Sequence, residues 1–340
     1  MNGYQRIAAA LRGEPSDKIP IMLHNFMVAA ADLGISMGQF RESPVLIADA
    51  FIKSVEKYDL DGVLVDIDTV TLAGSIGVPV DFPENEPARS LHGFLDSLEN
   101  PGFLKPPKVG NYKYIQIWLE AVRRIKDYFG DEIMVRGNCD QLPFSLAGMM
   151  RGTGSWMTDL FMAESSLLRE LLDYCTEATC QFIRLMIQTG AHMVSNGDSP
   201  AGPDMISPEL YEQYALPYET KVVDEAHRGG VFYALHICGD TSSILDKMLL
   251  TGSDAFEIDY KTDTQYAFDI LKDKAAFIGN IDPSGVLALG TPELVREKTT
   301  RLLDIFSKTN RFILNSGCAL PSITPEANIR ALVETARMYR

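Results

Sequence analysis

Short runs of apolar and β-branched residues alternate along this chain with longer stretches whose apolar positions recur at helical spacing. Ile19–His24, Gly62–Asp68, Ile133–Gly137, His192–Asn196, Val231–Cys238, Ala255–Tyr260, Ala276–Asn280 and Phe312–Asn315 read as strands. Pro44–Tyr58, Tyr114–Phe129, Ala163–Gln188, Pro208–Arg228, Thr241–Leu250, Pro292–Lys308 and Pro325–Arg340 read as helices between or after them. The last has a helix-start signal, with the Thr324 hydroxyl as N-cap and Pro325 in the first turn. Strands and helices in alternation predict a parallel sheet, and about eight strands is the number that closes a barrel. An open doubly wound sheet is the main competitor, but no G-x-G-x-x-G follows any strand. The first segment, Met1–Pro15, reads as an amphipathic helix. Val80–Gly110 carries several prolines and no helical face, and reads as a lid or surface loop. The predicted fold is therefore α/β, a single (β/α)8 TIM barrel domain over residues 1–340, with an N-terminal helical extension and an insertion after strand 2.

Polar and ionisable residues collect where these strands end: His24, Asp66 and Asp68, Asn138 and Asp140, Asn196 and Asp198, His236 and Cys238, Glu257 and Asp259, Asn280, Asn315 and Cys318. In a barrel all of them ring one mouth. Any one pair is equally explained by the chain turning polar as it leaves the core.

Composition narrows the partners. Apolar residues make up 46% and charged residues 23%, ordinary globular usage, while a net charge of -15 disfavours nucleic acid and anionic membranes. No stretch approaches the roughly 20 apolar residues of a membrane helix, so a cytoplasmic location is the default expectation. Five cysteines do not suggest a disulfide framework; thiol or metal chemistry is the better question.

In Val231-Phe-Tyr-Ala-Leu-His-Ile-Cys238 the period of two puts Phe232, Ala234, His236 and Cys238 on one face. The opposite face is apolar or aromatic and suits the outer helices, which turns His236 and Cys238 toward the barrel axis. Cys318 follows the last strand, too far along the chain for a zinc ribbon or finger, so only barrel closure brings it to the other two. A His/Cys/Cys set suits Zn²⁺ with a fourth position open; unliganded buried cysteine is the competing reading. Cys139, also at a strand end, is a rival ligand or nucleophile, whereas Cys175 and Cys180 fall within a long helix and read as packing residues.

Several segments carry a likeness to known proteins: Asn138-Cys-Asp-Gln-Leu-Pro-Phe-Ser-Leu-Ala147, Asp198-Ser-Pro-Ala-Gly-Pro-Asp-Met-Ile-Ser-Pro208, His236-Ile-Cys-Gly239, Gly279-Asn-Ile-Asp-Pro283 and Asn315-Ser-Gly-Cys318. Through them the chain resembles the uroporphyrinogen decarboxylase superfamily over nearly its full length, and within it the methylcobamide:coenzyme M methyltransferases. The resemblance implies a (β/α)8 barrel with zinc held by His236, Cys238 and Cys318. It also implies methyl transfer from a methylated corrinoid (methylcobamide) to a small thiol such as coenzyme M. The superfamily's decarboxylases carry an arginine-rich signature after the first strand; Ile19-Pro-Ile-Met-Leu-His-Asn-Phe26 has no arginine, which leaves decarboxylation the second choice. A barrel that binds corrinoid or tetrapyrrole without chemistry is a third. No histidine here lies in a D-x-H corrinoid loop, so a separate corrinoid protein is the expected partner.

Roles for the remaining mouth residues stay open at this level. Asp198, Glu257 and Asp259 are catalytic candidates, either orienting His236 or filling the fourth metal position. Asn280, Asn315 and His24 are candidate substrate or cofactor contacts, with local backbone satisfaction or core packing as the alternative.

Overall fold

The computed structural model describes residues 1–99 and 104–339. In chain order its strands are β1 (Gly62–Val65), a two-residue hairpin β2 (Val80–Asp81) and β3 (Arg89–Ser90), then β4 (Met134–Gln141), β5 (Met193–Gly197), β6 (Phe232–Ile237), β7 (Ala255–Ile258), β8 (Ala276–Ile281) and β9 (Phe312–Ser316). Apart from the hairpin they form one curled parallel sheet in the order β1-β4-β5-β6-β7-β8-β9. Its strands are buried on both faces, as parallel sheets covered by helices must be.

The gap between β9 and β1 is filled by the extended segment Pro20–Met22. Leu314 N–H donates to the Pro20 carbonyl and Met22 N–H to the Leu314 carbonyl, while Asp61 N–H on the β1 side donates to the Ile21 carbonyl. The predicted strand Ile19–His24 thus shrinks to a single bridge, Ile21 to Leu314. The reason is local: Pro20 has no N–H, and the Ile21 N–H is taken by the Asp61 carboxylate at 2.9 Å. The result is a TIM-barrel-like fold with seven full strands and a short eighth segment.

The helix Gly3–Arg12 is fastened at its start by a capping box between Asn2 and Gln5. Its Ile7, Ala8, Ala10 and Leu11 pack against Met22, Met134, Met193, Ala234, Ala255, Ala276 and Ile313, the first inward layer of the strands. That packing closes the floor of the barrel and leaves the opposite mouth as the working end.

Other departures from the sequence reading have equally plain causes. Pro208–Arg228 is two helices, Pro208–Tyr214 and Leu216–Arg228, because Pro217 cannot continue the hydrogen-bond ladder. Thr241–Leu250 keeps one α-helical turn at Leu245–Met248, followed by a 3-10 turn at Leu249–Thr251. The final helix runs Glu326–Met338 without a side-chain cap, since the Thr324 hydroxyl donates to the Pro321 carbonyl instead. The insertion is an ordered cover rather than a bare loop where it is described: the Arg41 guanidinium holds the Pro83 and Glu86 carbonyls at 2.5 Å each, and Pro87 reaches the central cavity. Residues 100–103 of the expected insertion, and Arg340 of the expected last helix, lie outside the described residues. Among the described residues no helix is long and apolar enough to cross a membrane.

Candidate metal centre and the cavity around it

His236 is the fifth residue of β6 and pairs in register with Glu257 of β7; Cys238 follows one residue beyond the strand. The chain then turns at Gly239, which adopts φ 91°, a left-handed conformation that suits glycine. Its N–H donates to Asp259 Oδ2 at 2.9 Å, and Cys238 N–H donates to Ser199 Oγ at 3.3 Å. Cys318 arrives from the turn after β9.

The three ligand atoms lie within 4.8 Å of one another, the sole such His/Cys/Asp/Glu group among the described residues. His236 Nε2 is 3.0 Å from Cys238 Sγ, which is 3.8 Å from Cys318 Sγ. A tetrahedral ion with Zn–S near 2.3 Å requires about 3.8 Å between sulfurs, and with Zn–N near 2.0 Å about 3.5 Å between nitrogen and sulfur. The donor set therefore fits such an ion with only a small opening of the histidine–cysteine distance. His236 is prepared for the role: its Nδ1–H donates to the Glu257 carbonyl at 2.8 Å, so Nε2 is the nitrogen left to face the sulfurs. Electrostatics agree. A hydrogen bond from Cys318, followed by the charge of His236, brings the Cys238 thiol down to about 3 against its burial. Burial opposes a charge on His236, but Cys238 lifts it to about 10; Cys318, bonded to the Cys238 thiolate, is pushed up. These are protons that a cation at the same point displaces.

Next to the triad, a cavity of about 200 Å³ reaches down the barrel axis. His24 spans it, with Nε2 2.7 Å from Asp66 Oδ2 and Nδ1 3.1 Å from Glu257 Oε1. Burial alone would lower its pKa, but the two carboxylates outweigh that and raise it to about 9. Glu257, 1% exposed, is also paired with Arg136 at 2.6 Å between Oε2 and Nη1. Arg136, more than His24 and His236, holds the Glu257 carboxyl well below the usual range despite complete burial. Asn138 Nδ2 donates to Asp66 Oδ1 at 2.8 Å and completes this wall.

The structure thus brings His24 and Glu257 together with His236, Cys238 and Cys318, and sends the other candidates elsewhere. Asp198 turns outward under the helices, where Oδ1 accepts from Ser145 N–H at 2.8 Å and Ser145 Oγ at 2.5 Å, serving the N-terminus of helix Pro143–Arg151. Asp259 binds the Gly239 and Lys261 amides, so it shapes the turn that carries Cys238. Asn280 donates to the Asp259 carbonyl at 3.2 Å and lines a separate outer cleft. Asn315 accepts from His24 N–H at 2.9 Å, and so places His24 through its backbone. Cys139 is fully buried, with its thiol raised by burial, and stands apart from the triad; Cys175 and Cys180 are packed in the helix Ser165–Ile187. Sequence reasoning missed Arg136, although it shares parity with Met134 and Asn138 on β4 and so points inward.

A TIM-barrel-like fold with a candidate metal-ligand triad at the open end of its strands defines the class of this protein. The sequence profile of the uroporphyrinogen decarboxylase (URO-D) family matches residues 2–339, and the chain belongs to that family. The methylcobamide:CoM methyltransferase MtbA of Methanosarcina acetivorans is 30% identical over 99% of this chain and 98% of its own length. A uroporphyrinogen decarboxylase of Prochlorococcus marinus is 28% identical over 96% and 94%. Among solved structures, a methyltransferase from Methanosarcina mazei superposes with a TM-score of 0.89 at 23% identity, covering 99% of this chain and 98% of that one. A B12-independent methionine synthase from Listeria monocytogenes superposes at 0.57 with 11% identity over 94% and 95% of the chains, a likeness of fold.

Proposed function

We propose that this protein is a zinc-dependent methyltransferase that moves a methyl group from a methylated corrinoid, carried by a partner protein, to a small thiol. The observation that carries the reading is the convergence of His236, Cys238 and Cys318 at ligand spacing beside a cavity of small-molecule size. Full-length relatives named as methylcobamide:CoM methyltransferases support it and make coenzyme M an acceptor to test.

A free thiol has a pKa of about 8.5 and is mostly protonated at neutral pH, and a zinc ion at the triad supplies the Lewis acidity that keeps it a thiolate. The protein's own residues do the rest. His236, Cys238 and Cys318 would hold the ion as one neutral histidine and two cysteinates, a donor set that would balance its divalent charge and leave the substrate sulfur electron-rich. The Glu257 carbonyl fixes the His236 ring, and Asp259 with Gly239 fixes the turn at Cys238. The substrate sulfur donates an electron pair to the methyl carbon; the cobalt–carbon bond breaks with its pair left on cobalt, and the thiol proton leaves through the mouth. The same wall argues against decarboxylation of a porphyrinogen: its acids outnumber its cations, and the charge of Arg136 is already opposed by Glu257.

The test combines metal analysis with turnover. Purified protein is expected to hold one zinc per chain and to convert methylcobalamin plus a small thiol into a thioether, with Cys318→Ala losing both. Metal-free protein that releases CO₂ from uroporphyrinogen would reverse the assignment, and zinc without turnover of any thiol would favour a binding role.

A further inference from the structure

We propose that Asp140 anchors a positively charged amine on the acceptor, so that the thiol this protein methylates is an aminothiol rather than an anionic one. This rests on the methyl-transfer reading of the cavity and adds the charge of its substrate.

Four carboxyl groups line the cavity, Asp66, Asp68, Asp140 and Glu257, against the cations His24 and Arg136, with His236 given over to the candidate metal triad. The charge of each cation is opposed, His24 by Asp66 and Glu257 and Arg136 by Glu257, although Arg136 Nε and Nη1 make no hydrogen bond. Asp68 is committed as well: Oδ1 accepts from the Val70 and Thr71 amides and Oδ2 from the Thr71 hydroxyl. Glu257 Oε2 has no hydrogen bond but is ion-paired with Arg136, which leaves Asp140 as the one of the four with an oxygen in neither a hydrogen bond nor an ion pair. Its Oδ2 accepts from Leu72 N–H at 2.7 Å, but its Oδ1 has no partner, on a residue only 1% exposed.

A buried acceptor left unmatched is costly, by far more than a matched one gains, so a lone carboxylate oxygen on a cavity wall marks a place where a guest brings the donor. No second cluster of three His, Cys, Asp or Glu ligands forms among the described residues, so Asp140 is not part of a metal site of that kind. Burial first, then the charge of Asp68, push the Asp140 carboxyl up; the negative surroundings that resist its ionisation favour a cation beside it. An ammonium satisfies both needs, since it donates to Oδ1 and offsets the excess charge. A sulfonate or carboxylate does neither, and adds to the excess of negative charge on the wall. At about 200 Å³ the cavity is below the usual range for drug-sized ligands and suits a short thiol.

Three thiols of equal length separate the possibilities: 2-aminoethanethiol, 2-mercaptoethanol and 2-mercaptoethanesulfonate. With zinc-loaded protein and methylcobalamin as donor, kcat/KM is expected to be roughly 10- to 100-fold higher for the amine than for the alcohol, the range of a charge-assisted hydrogen bond, and lowest for the sulfonate. Calorimetric binding of the three S-methyl products, which needs no methyl transfer, should follow the same order. In Asp140→Asn, whose side-chain oxygen can still accept from Leu72, the amine-to-alcohol ratio should fall to about 2 or less. A sulfonate preference in the wild-type protein, or an amine preference that survives Asp140→Asn, overturns the proposal. If no thiol is methylated, the methyltransferase reading fails, while the product-binding order still decides the charge preference. Should Asp140→Asn not fold, the wild-type ranking alone decides it.

Discussion

Replacing Glu257 with Gln should destabilise the barrel by an amount that its surroundings set. The carboxylate sits between His24 and Arg136 with 1% exposure, and the substitution leaves two buried cations facing an amide whose NH₂ can only donate. Breaking a buried ion pair from one side costs about 3–5 kcal/mol. At about 2.1 cal/mol/K per residue, a chain of 340 residues has an unfolding entropy near 0.7 kcal/mol/K, so the melting temperature should drop by roughly 4–7 °C. Differential scanning calorimetry at neutral pH measures it. The metal triad should survive, because the bond from His236 goes to the Glu257 backbone carbonyl, which the substitution keeps. Arg136→Met added to Glu257→Gln removes the stranded guanidinium and should recover about 2 kcal/mol relative to additivity. A shift below about 1 °C for the single variant, or strict additivity in the double, would refute the view that Glu257 works as a counter-ion.

Two further outcomes follow from the same site. His24 has its pKa raised to about 9 in the folded protein, so the stability it contributes is complete below its unfolded value near 6.5 and is lost as pH rises through 9. The urea-midpoint gap between wild type and His24→Gln should therefore narrow between pH 6.5 and 9.5, by at most about 3 kcal/mol, and a gap independent of pH would contradict the assignment. In Gly239→Ala the left-handed turn costs about 1–2 kcal/mol and the new Cβ would meet Asp204 Oδ2 at 2.6 Å. Zinc should then be lost to a chelator at lower concentration than in wild type; equal retention would detach the turn from the metal site.

The sequence pattern carried the seven buried strands and the parity that aims His236 and Cys238 inward, because both depend on a period of two that a covered sheet enforces. Cys318 was reachable only through closure of the barrel, a long-range event with no local signal. Parity fails where the ladder ends. Asp198 and Asp259 each lie one residue past the last strand position, where the turn decides direction, and Gly279, with φ 137°, resets the course of β8 just before Asn280. The first strand was overread because Ile21 gives its N–H to the Asp61 side chain, a tertiary contact that apolar patterning does not reveal. Arg136 was legible by parity alone, since it shares a face of its strand with Met134 and Asn138.

The helix Gly3–Arg12, pressed against the methionine and alanine layer under the strands, makes the barrel a cup with one opening. For the proposed reaction this fixes a kinetic order. An acceptor cannot slip in from below once a large donor protein covers the rim, nor can its methylated product escape that way. Thiol must bind first and thioether must leave last, so a dead-end thioether analogue should compete with the thiol and be non-competitive against the corrinoid protein.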